Sequence, residues 1–354
     1  MTQNIKQPKK RFAITILISI IFSAIVIAFL VYHESIIYGL GQLHGQVKIL
    51  RNVRPVSEVL TDSTYSDSTK NSLKLIQEIR QYAEDSLGIN HTDNYTTFYE
   101  QYKKPLLWNV TACEKYRLEP YHWKFPIVGS FSYKGFFDKQ KADNELLSLK
   151  NKGYDTDLYA VSGWSTLGFL QDPILSQWLL YSEGKLANLI IHELTHSTLY
   201  VKNNVSYNEN LASFVGDLGA KKFLAYKYGT DSKELKHYLE SQTDAETLRN
   251  FVLKYAQKLD NLYKSFPKNR TLSDCEIAKQ EFIKEFVLKL QDETFYNHNY
   301  CKYFDDEMPN NTFFMGFMRY YDQQQVFKEQ FERQFHSDFN LYMKYLKETY
   351  PHLL

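Results

Sequence analysis

Two histidines four residues apart, with a glutamate directly after the first, are the residues of this chain best equipped for chemistry: His192, Glu193 and His196 in the run HELTH. On a helix, residues four apart lie one turn apart on the same face, so both imidazoles can ligate one Zn²⁺ ion. Glu193 comes about 100° further round, close enough to reach a water on that ion without ligating it. A catalytic zinc takes three protein ligands and keeps a fourth position open. The third ligand is expected from the next helix. Asn203-Asn204 reads as a turn, a helix starts near Ser206 to Asn208, and Glu209 falls in its first turn. Ala212, Gly216 and Ala220 follow Glu209 at helical spacing, and such a stripe of small residues lets two helix axes approach closely. Leu211, Phe214, Val215 and Leu218 form a neighbouring apolar stripe for the core. Two alternatives stand beside this assignment. Ser206-Tyr207-Asn208-Glu209 also matches a capping box, in which the glutamate returns to the cap's own N–H. Asp217 is a second candidate ligand, or an acceptor for a ligand histidine.

HELTH followed by NENLASF resembles the glutamate-zincin pattern, HExxH then NExxA. The wider chain is similar to a bacterial family of putative zinc aminopeptidases. The resemblance is carried by GQLHGQVKILRNVRPVSEVL, WNVTACEKYRLEPYHWKFPIVGSFSYKGFFD, GWSTLGFLQDPILS, LIIHELTHSTLYVKNNVSYNENLASFVG and MPNNTFFMGFMRYYDQQQVFKEQF. It implies a zincin-like metallopeptidase, with His192, His196 and Glu209 as zinc ligands and Glu193 as catalytic base. Two departures stand out. Zincins of the thermolysin type carry aspartate four residues after the ligand glutamate, where this chain has Ser213. The acidic, glycine-rich exopeptidase motif of the membrane alanyl-type aminopeptidases has no counterpart here.

The elements that must position these residues give an α+β chain, predominantly helical, with a small β-sheet beside the HExxH helix. Residues 36–50 and 57–88 read as helices, the second carrying Leu73, Leu75, Ile76 and Ile79 and stopping at Gly88. FPIVGSFSYKGFF alternates with period two, placing Ile127, Gly129, Phe131 and Tyr133 on one face of a strand. Asp138 caps a helix through Lys150 that Gly153 closes, and residues 158–161 form a second strand. An edge strand of such a sheet can hold an extended peptide by main-chain hydrogen bonds. Residues 164–169, WSTLGF, are the candidate substrate-facing segment, or equally an ordinary loop with buried aromatics. Beyond residue 231, helical stripes at Leu248, Phe251, Val252, Tyr255 and Leu259, and at Ala278, Phe282, Phe286 and Leu290, are core, broken at Pro267 and at residues 308–311.

Residues 12–32 contain no charge and are long enough, at 1.5 Å per residue, for a hydrocarbon layer of about 30 Å. Lys6, Lys9, Lys10 and Arg11 precede the run, and Glu34 is the first charge after it. The expectation is therefore a basic cytoplasmic tail over 1–11, a transmembrane anchor over 12–32 and an extracytoplasmic peptidase over 33–354. That peptidase divides into a helical part 33–122, the sheet and catalytic helices 123–230, and a helical part 231–354. The chain would then be a single-pass protein of the bacterial inner membrane, with the membrane as a partner; a cleaved signal peptide is the rival reading. The net charge of +1 over 354 residues, with both signs dispersed, gives no electrostatic case for nucleic-acid binding. Three cysteines are too few for a disulfide scaffold, although Cys275 and Cys301 could pair in an oxidising compartment.

The chemistry expected is peptide hydrolysis by a zinc-activated water, with Glu193 taking a proton and returning it to the leaving amine. The developing oxyanion needs a further donor, for which Tyr320 is the candidate and Tyr321 lies close behind. A peptide substrate is the partner this implies. Two other functions share the motif: a non-catalytic, zincin-like protein that binds peptides or envelope partners, and a zinc hydrolase of non-peptide amides.

Overall fold

The structure, a computed structural model, describes residues 8–125, 129–161, 171–201, 204–302, 304, 307–321 and 323–350. The chain divides into two compact units, one of Met1–Arg51 with Phe125–Val128 and one of Asn52–Lys124 with Gly129–Leu354. The first unit is built on one helix, α1 (Pro8–Leu50). The ring of Tyr38 stacks on Phe125 at 5.2 Å.

The anchor expected over residues 12–32 is overturned. No helix among the described residues is long and apolar enough to cross a membrane. Crossing needs about 20 consecutive, predominantly apolar residues. The single-pass inner-membrane placement and the membrane as a partner fall with the anchor, as does the preceding transmembrane helix in the fold class.

The second unit is mostly helical. It begins with strand β1 (Val53–Pro55), helix α2 (Val56–Thr61) and helix α3 (Asp67–Ser86). The single helix expected over 57–88 is thus two, because Ser66 caps α3 by accepting the Thr69 N–H. Leu73, Ile76 and Ile79 are buried, and Gly88 takes a positive φ of 67° beyond the end of α3. Strands β2 (Thr97–Tyr99), β3 (Trp108–Cys113), β4 (Trp123–Phe125), β5 (Gly129–Phe131) and β6 (Lys134–Phe136) follow. Then come helix α4 (Lys139–Asn151), capped by Asp138, and strands β7 (Asp155–Ala160) and β8 (Ile174–Leu175). The long alternating strand expected around residues 125–136 is broken into short pieces, and Ile127 lies outside the described residues.

Beside the two-stranded pairing of β4 with β5, two small three-stranded sheets result among the described residues. In one, β3 lies between β6 and β7 and is antiparallel to both, with Val110 opposite Lys134 on one side and Leu158 on the other. In the other, β2 pairs antiparallel with β1 and parallel with β8. The central strand β3 was not anticipated, because it is buried on both faces and so shows no alternation for a sequence pattern to detect.

The remaining elements are helices α5 (Glu183–Thr198), α6 (Val205–Tyr228), α7 (Lys233–Lys264), α8 (Leu272–Gln291), α9 (Asn311–Tyr321), α10 (Gln324–Phe335) and α11 (Phe339–Thr349). Leu248, Val252, Leu259, Ile283, Phe286 and Phe314 form one apolar cluster between α7, α8 and α9, as the helical stripes require. The helix with the histidine pair, α5, packs chiefly on α6, α3 and α7, whereas the β6-β3-β7 sheet packs chiefly on α4 and α9. The sheet is therefore further from the histidine helix than expected.

The small-residue stripe does what its composition implies. A Cβ added at Gly216 would stand 3.0 Å from the Asn188 carbonyl oxygen and 3.1 Å from the His192 Cβ. At Gly219 it would meet Ile191 Cγ2 at 2.9 Å. Helices α5 and α6 thus touch backbone to backbone beside His192. Gly216→Val should push them apart and cost about 1–3 kcal/mol of stability, an overpacking penalty readable as a lowered midpoint in thermal or urea unfolding. An unchanged midpoint would mean that the two helices have room to spare.

Candidate metal centre

The side chains of His192 and His196 project from the middle and last turn of α5, whose first turn is closed by Ser182 accepting the Lys185 N–H. Glu209 comes from α6. That helix starts at Val205, with the Asn204 side chain accepting the Tyr207 N–H at 3.2 Å. The cap is therefore earlier than the capping-box alternative requires, and Glu209 lies in the second turn, out of reach of a cap N–H. Ser206, the cap in that alternative, instead donates its hydroxyl to the Arg319 carbonyl at 3.2 Å.

The residues on either side of Glu209 hold its helix in place. Asn208 accepts the Val201 N–H and donates to the Val201 carbonyl, both at 2.8 Å, fixing the end of the α5–α6 connection. Asn210, fully buried, donates to the Arg319 carbonyl at 2.7 Å and accepts the Gln323 N–H at 3.1 Å. Those bonds secure the α9–α10 junction. Sequence reading passed over both asparagines, although an Asn-Glu-Asn triplet inside an otherwise apolar helix face was the available signal.

The three side chains converge. The His192 and His196 Nε2 atoms are 3.2 Å apart, and the Glu209 Oε2 lies 3.5 Å from the first and 3.7 Å from the second. Donors bound tetrahedrally at 2.0–2.1 Å from one ion stand about 3.3 Å from each other, so the observed triangle fits such an ion closely. Two nitrogens and one carboxylate oxygen are also the donor set that suits a borderline metal such as zinc. Among the described residues these three form a group able to hold a metal ion.

Asp217 is not among them. Its carboxylate accepts Lys221 Nζ at 2.7 Å and the Tyr238 hydroxyl at 3.0 Å, facing the α6–α7 side instead. Nor does it support a ligand histidine. The His196 Nδ1 is buried with no hydrogen-bond partner among the described residues, consistent with Ser213 replacing the aspartate of thermolysin-type zincins.

The two carboxylates of the site are tuned in opposite directions. Burial pushes the Glu193 carboxyl up, Glu209 adds to the rise, and the two histidines oppose it. Glu209 also feels burial, but the charges and hydrogen bonds of His196 and His192 outweigh it and hold this carboxylate well below its usual range. Glu193 is 7% exposed, so a group of this kind keeps a proton more readily than a solvated one.

Tyr133 and Tyr200 are both raised, first by burial and next by the charge of Glu209, which places two phenols in the electrostatic reach of the site. Neither was singled out for chemistry from the sequence. Tyr320 stands at the last turn of α9, but its side chain lies outside the described residues, as do residues 164–169. Cys275 is a free, buried thiol and is not paired with Cys301.

A family model described as "Putative aminopeptidase" matches residues 38–350. No curated protein and no solved structure matches the chain.

Protons compete with a metal for the same nitrogens. Burial lowers the His196 pKa, but the charge and hydrogen bond of Glu209 outweigh it and leave the pKa above the ordinary 6.5. His196 is therefore protonated below that raised value and free to ligate only above it. Apparent metal affinity should climb as pH rises through the region above 6.5 and fall by about tenfold per unit below it. Chelator competition at a series of pH values measures this, and a flat profile from pH 5 to 8 would contradict the shared site.

Proposed function

The chain belongs to the putative aminopeptidase family, and from that premise we propose that it is a zinc-dependent metallopeptidase hydrolysing peptide bonds as an aminopeptidase. The observation that carries this reading is the triangle of His192, His196 and Glu209, spaced as donors to one ion, with the buried carboxylate of Glu193 beside it and outside the ligand set. Zinc held by those three residues would lower the pKa of a water and polarise the carbonyl of the bond to be cut.

The protein's own groups do the rest. Glu193 accepts the proton of the attacking water, and its raised pKa makes it able to hold that proton. It then delivers the proton to the departing amine nitrogen, so the base of the first step is the acid of the second. Glu209 has the opposite tuning and stays ionised throughout, as a ligand must. Tyr320 is assigned as donor to the oxyanion that develops on the carbonyl, with Tyr133 and Tyr200 as phenols within electrostatic reach of Glu209.

Glu193→Gln should leave zinc binding intact and lower peptide turnover by about 10²- to 10⁴-fold. Turnover together with metal content decides this, and an undiminished rate at full occupancy would refute the mechanism. Removal of the metal by chelation should abolish hydrolysis, and added zinc should restore it. Tyr320→Phe should reduce kcat by about 10²-fold with little change in KM. If Tyr133→Phe or Tyr200→Phe shows that loss instead, the oxyanion role moves to that residue.

A further inference from the structure

The hydroxyl of Tyr95 is a buried group that the chemistry above does not use. The residue is 0% exposed, and its Oη has no hydrogen-bond partner among the described residues. A phenol in that condition forfeits the hydrogen bonds it makes with water in the unfolded chain. Buried tyrosines usually find a partner for the hydroxyl, and phenylalanine would fill the same space without the polar atom. Tyrosine is a costly choice here on packing grounds alone.

The backbone adds to that cost. Tyr95 has a φ of 62°, a left-handed conformation that strains a bulky side chain. The strain is held from both sides. The Tyr95 N–H donates to the Asp172 carbonyl at 2.7 Å, and its carbonyl accepts Gln77 Nε2 at 2.7 Å. The ring stands edge-on to Trp178, with centroids 5.6 Å apart. A strained residue fixed in this way presents its hydroxyl in one direction.

That direction concerns α5. The segment carrying Tyr95 is tied at two places to the histidine helix and its approach. Asn90 donates its N–H to Thr198 Oγ1 at 3.1 Å, in the last turn of α5. Trp178 belongs to the short turn Ser176–Leu180, which leads into the first turn of that helix. Glu193, buried at 7% exposure, lies along the chain between these two anchor points. Burial pushes the Tyr95 phenol well above its ordinary value, the charge of Glu193 pushes it further, and that of Asp172 follows. The backbone of Asp172 is already engaged, accepting from Tyr95 and donating its N–H to Asn94 Oδ1 at 2.9 Å. A general base has to be held in one orientation to be effective, which a donor fixed on rigid backbone provides.

We propose that Tyr95 is a positioning residue, its hydroxyl donating to the carboxylate of Glu193, directly or through one bridging water, and so aiming the base. The purpose of that bond rests on the peptidase reading above, but its existence can be tested without turnover. Wild type, Tyr95→Phe, Glu193→Ala and the double variant, all full length, are compared by urea unfolding at one fixed zinc concentration. With Glu193 present, Tyr95→Phe should lower the folded-to-unfolded ratio about tenfold, the loss of a hydrogen bond to a charged group. In the Glu193→Ala background the same substitution should leave the ratio unchanged or raise it, because it removes a hydroxyl without an acceptor. In turnover, Tyr95→Phe should reduce kcat about tenfold and leave KM unchanged.

A phenol that only packs gives the same change in both backgrounds, and equal changes would overturn the proposal. So would a tenfold coupling to Asp172→Asn with none to Glu193→Ala, since that would assign the hydroxyl to the other carboxylate. Coupling to Glu193 in a protein that cuts no peptide would refute the peptidase reading alone.

Discussion

The close approach of α5 and α6 is the contact on which the rest of the site depends. Their backbones meet where Gly216 faces the Asn188 carbonyl and His192. Only at that separation does a carboxylate on α6 come within a metal's reach of two imidazoles on α5. The apolar residues flanking the contact, Ile191 and Leu194 on one helix and Leu211 and Val215 on the other, are fully or nearly fully buried. Dispersion and burial thus draw the helices together, while the absence of side-chain bulk at Gly216 and Gly219 sets how far.

That contact fixes the distance between the helices; hydrogen bonds fix the rotation of α6. Asn208 and Asn210 stand on either side of Glu209 and satisfy backbone groups of two different loops. Because buried backbone donors and acceptors are costly to leave unpaired, turning α6 about its axis would forfeit several bonds at once. The same bonds bring the end of α9, with Arg319, against the start of α6. Glu209 and the end of α9 are therefore held by one network of hydrogen bonds.

Within the site, two glutamates are driven in opposite directions because their surroundings differ. Glu209 faces both imidazoles and is kept ionised. Glu193 lies deeper, with burial as its dominant influence, and is made a better proton carrier. Pairs of carboxylates driven in opposite directions are a recurring way to divide ligand and acid–base roles at neutral pH.

Much of this was legible from spacing. The one-turn spacing of His192 and His196 and the small stripe after Glu209 follow from helical geometry, which is local and so written in the sequence. The cap at Asp138 and the apolar stripes of α7 and α8 were legible for the same reason. Tertiary structure decided what is not local. Strand β3 carries no alternating pattern because both its faces are covered. The capping role open to Glu209 closed once Asn204 proved to start α6, and Asp217 was claimed by Lys221 and Tyr238 from outside the site. The anchor expected over residues 12–32 is not borne out, because among the described residues no helix is long and apolar enough to cross a membrane. Periodicity tells which residues share a face, but only the folded chain determines what that face meets.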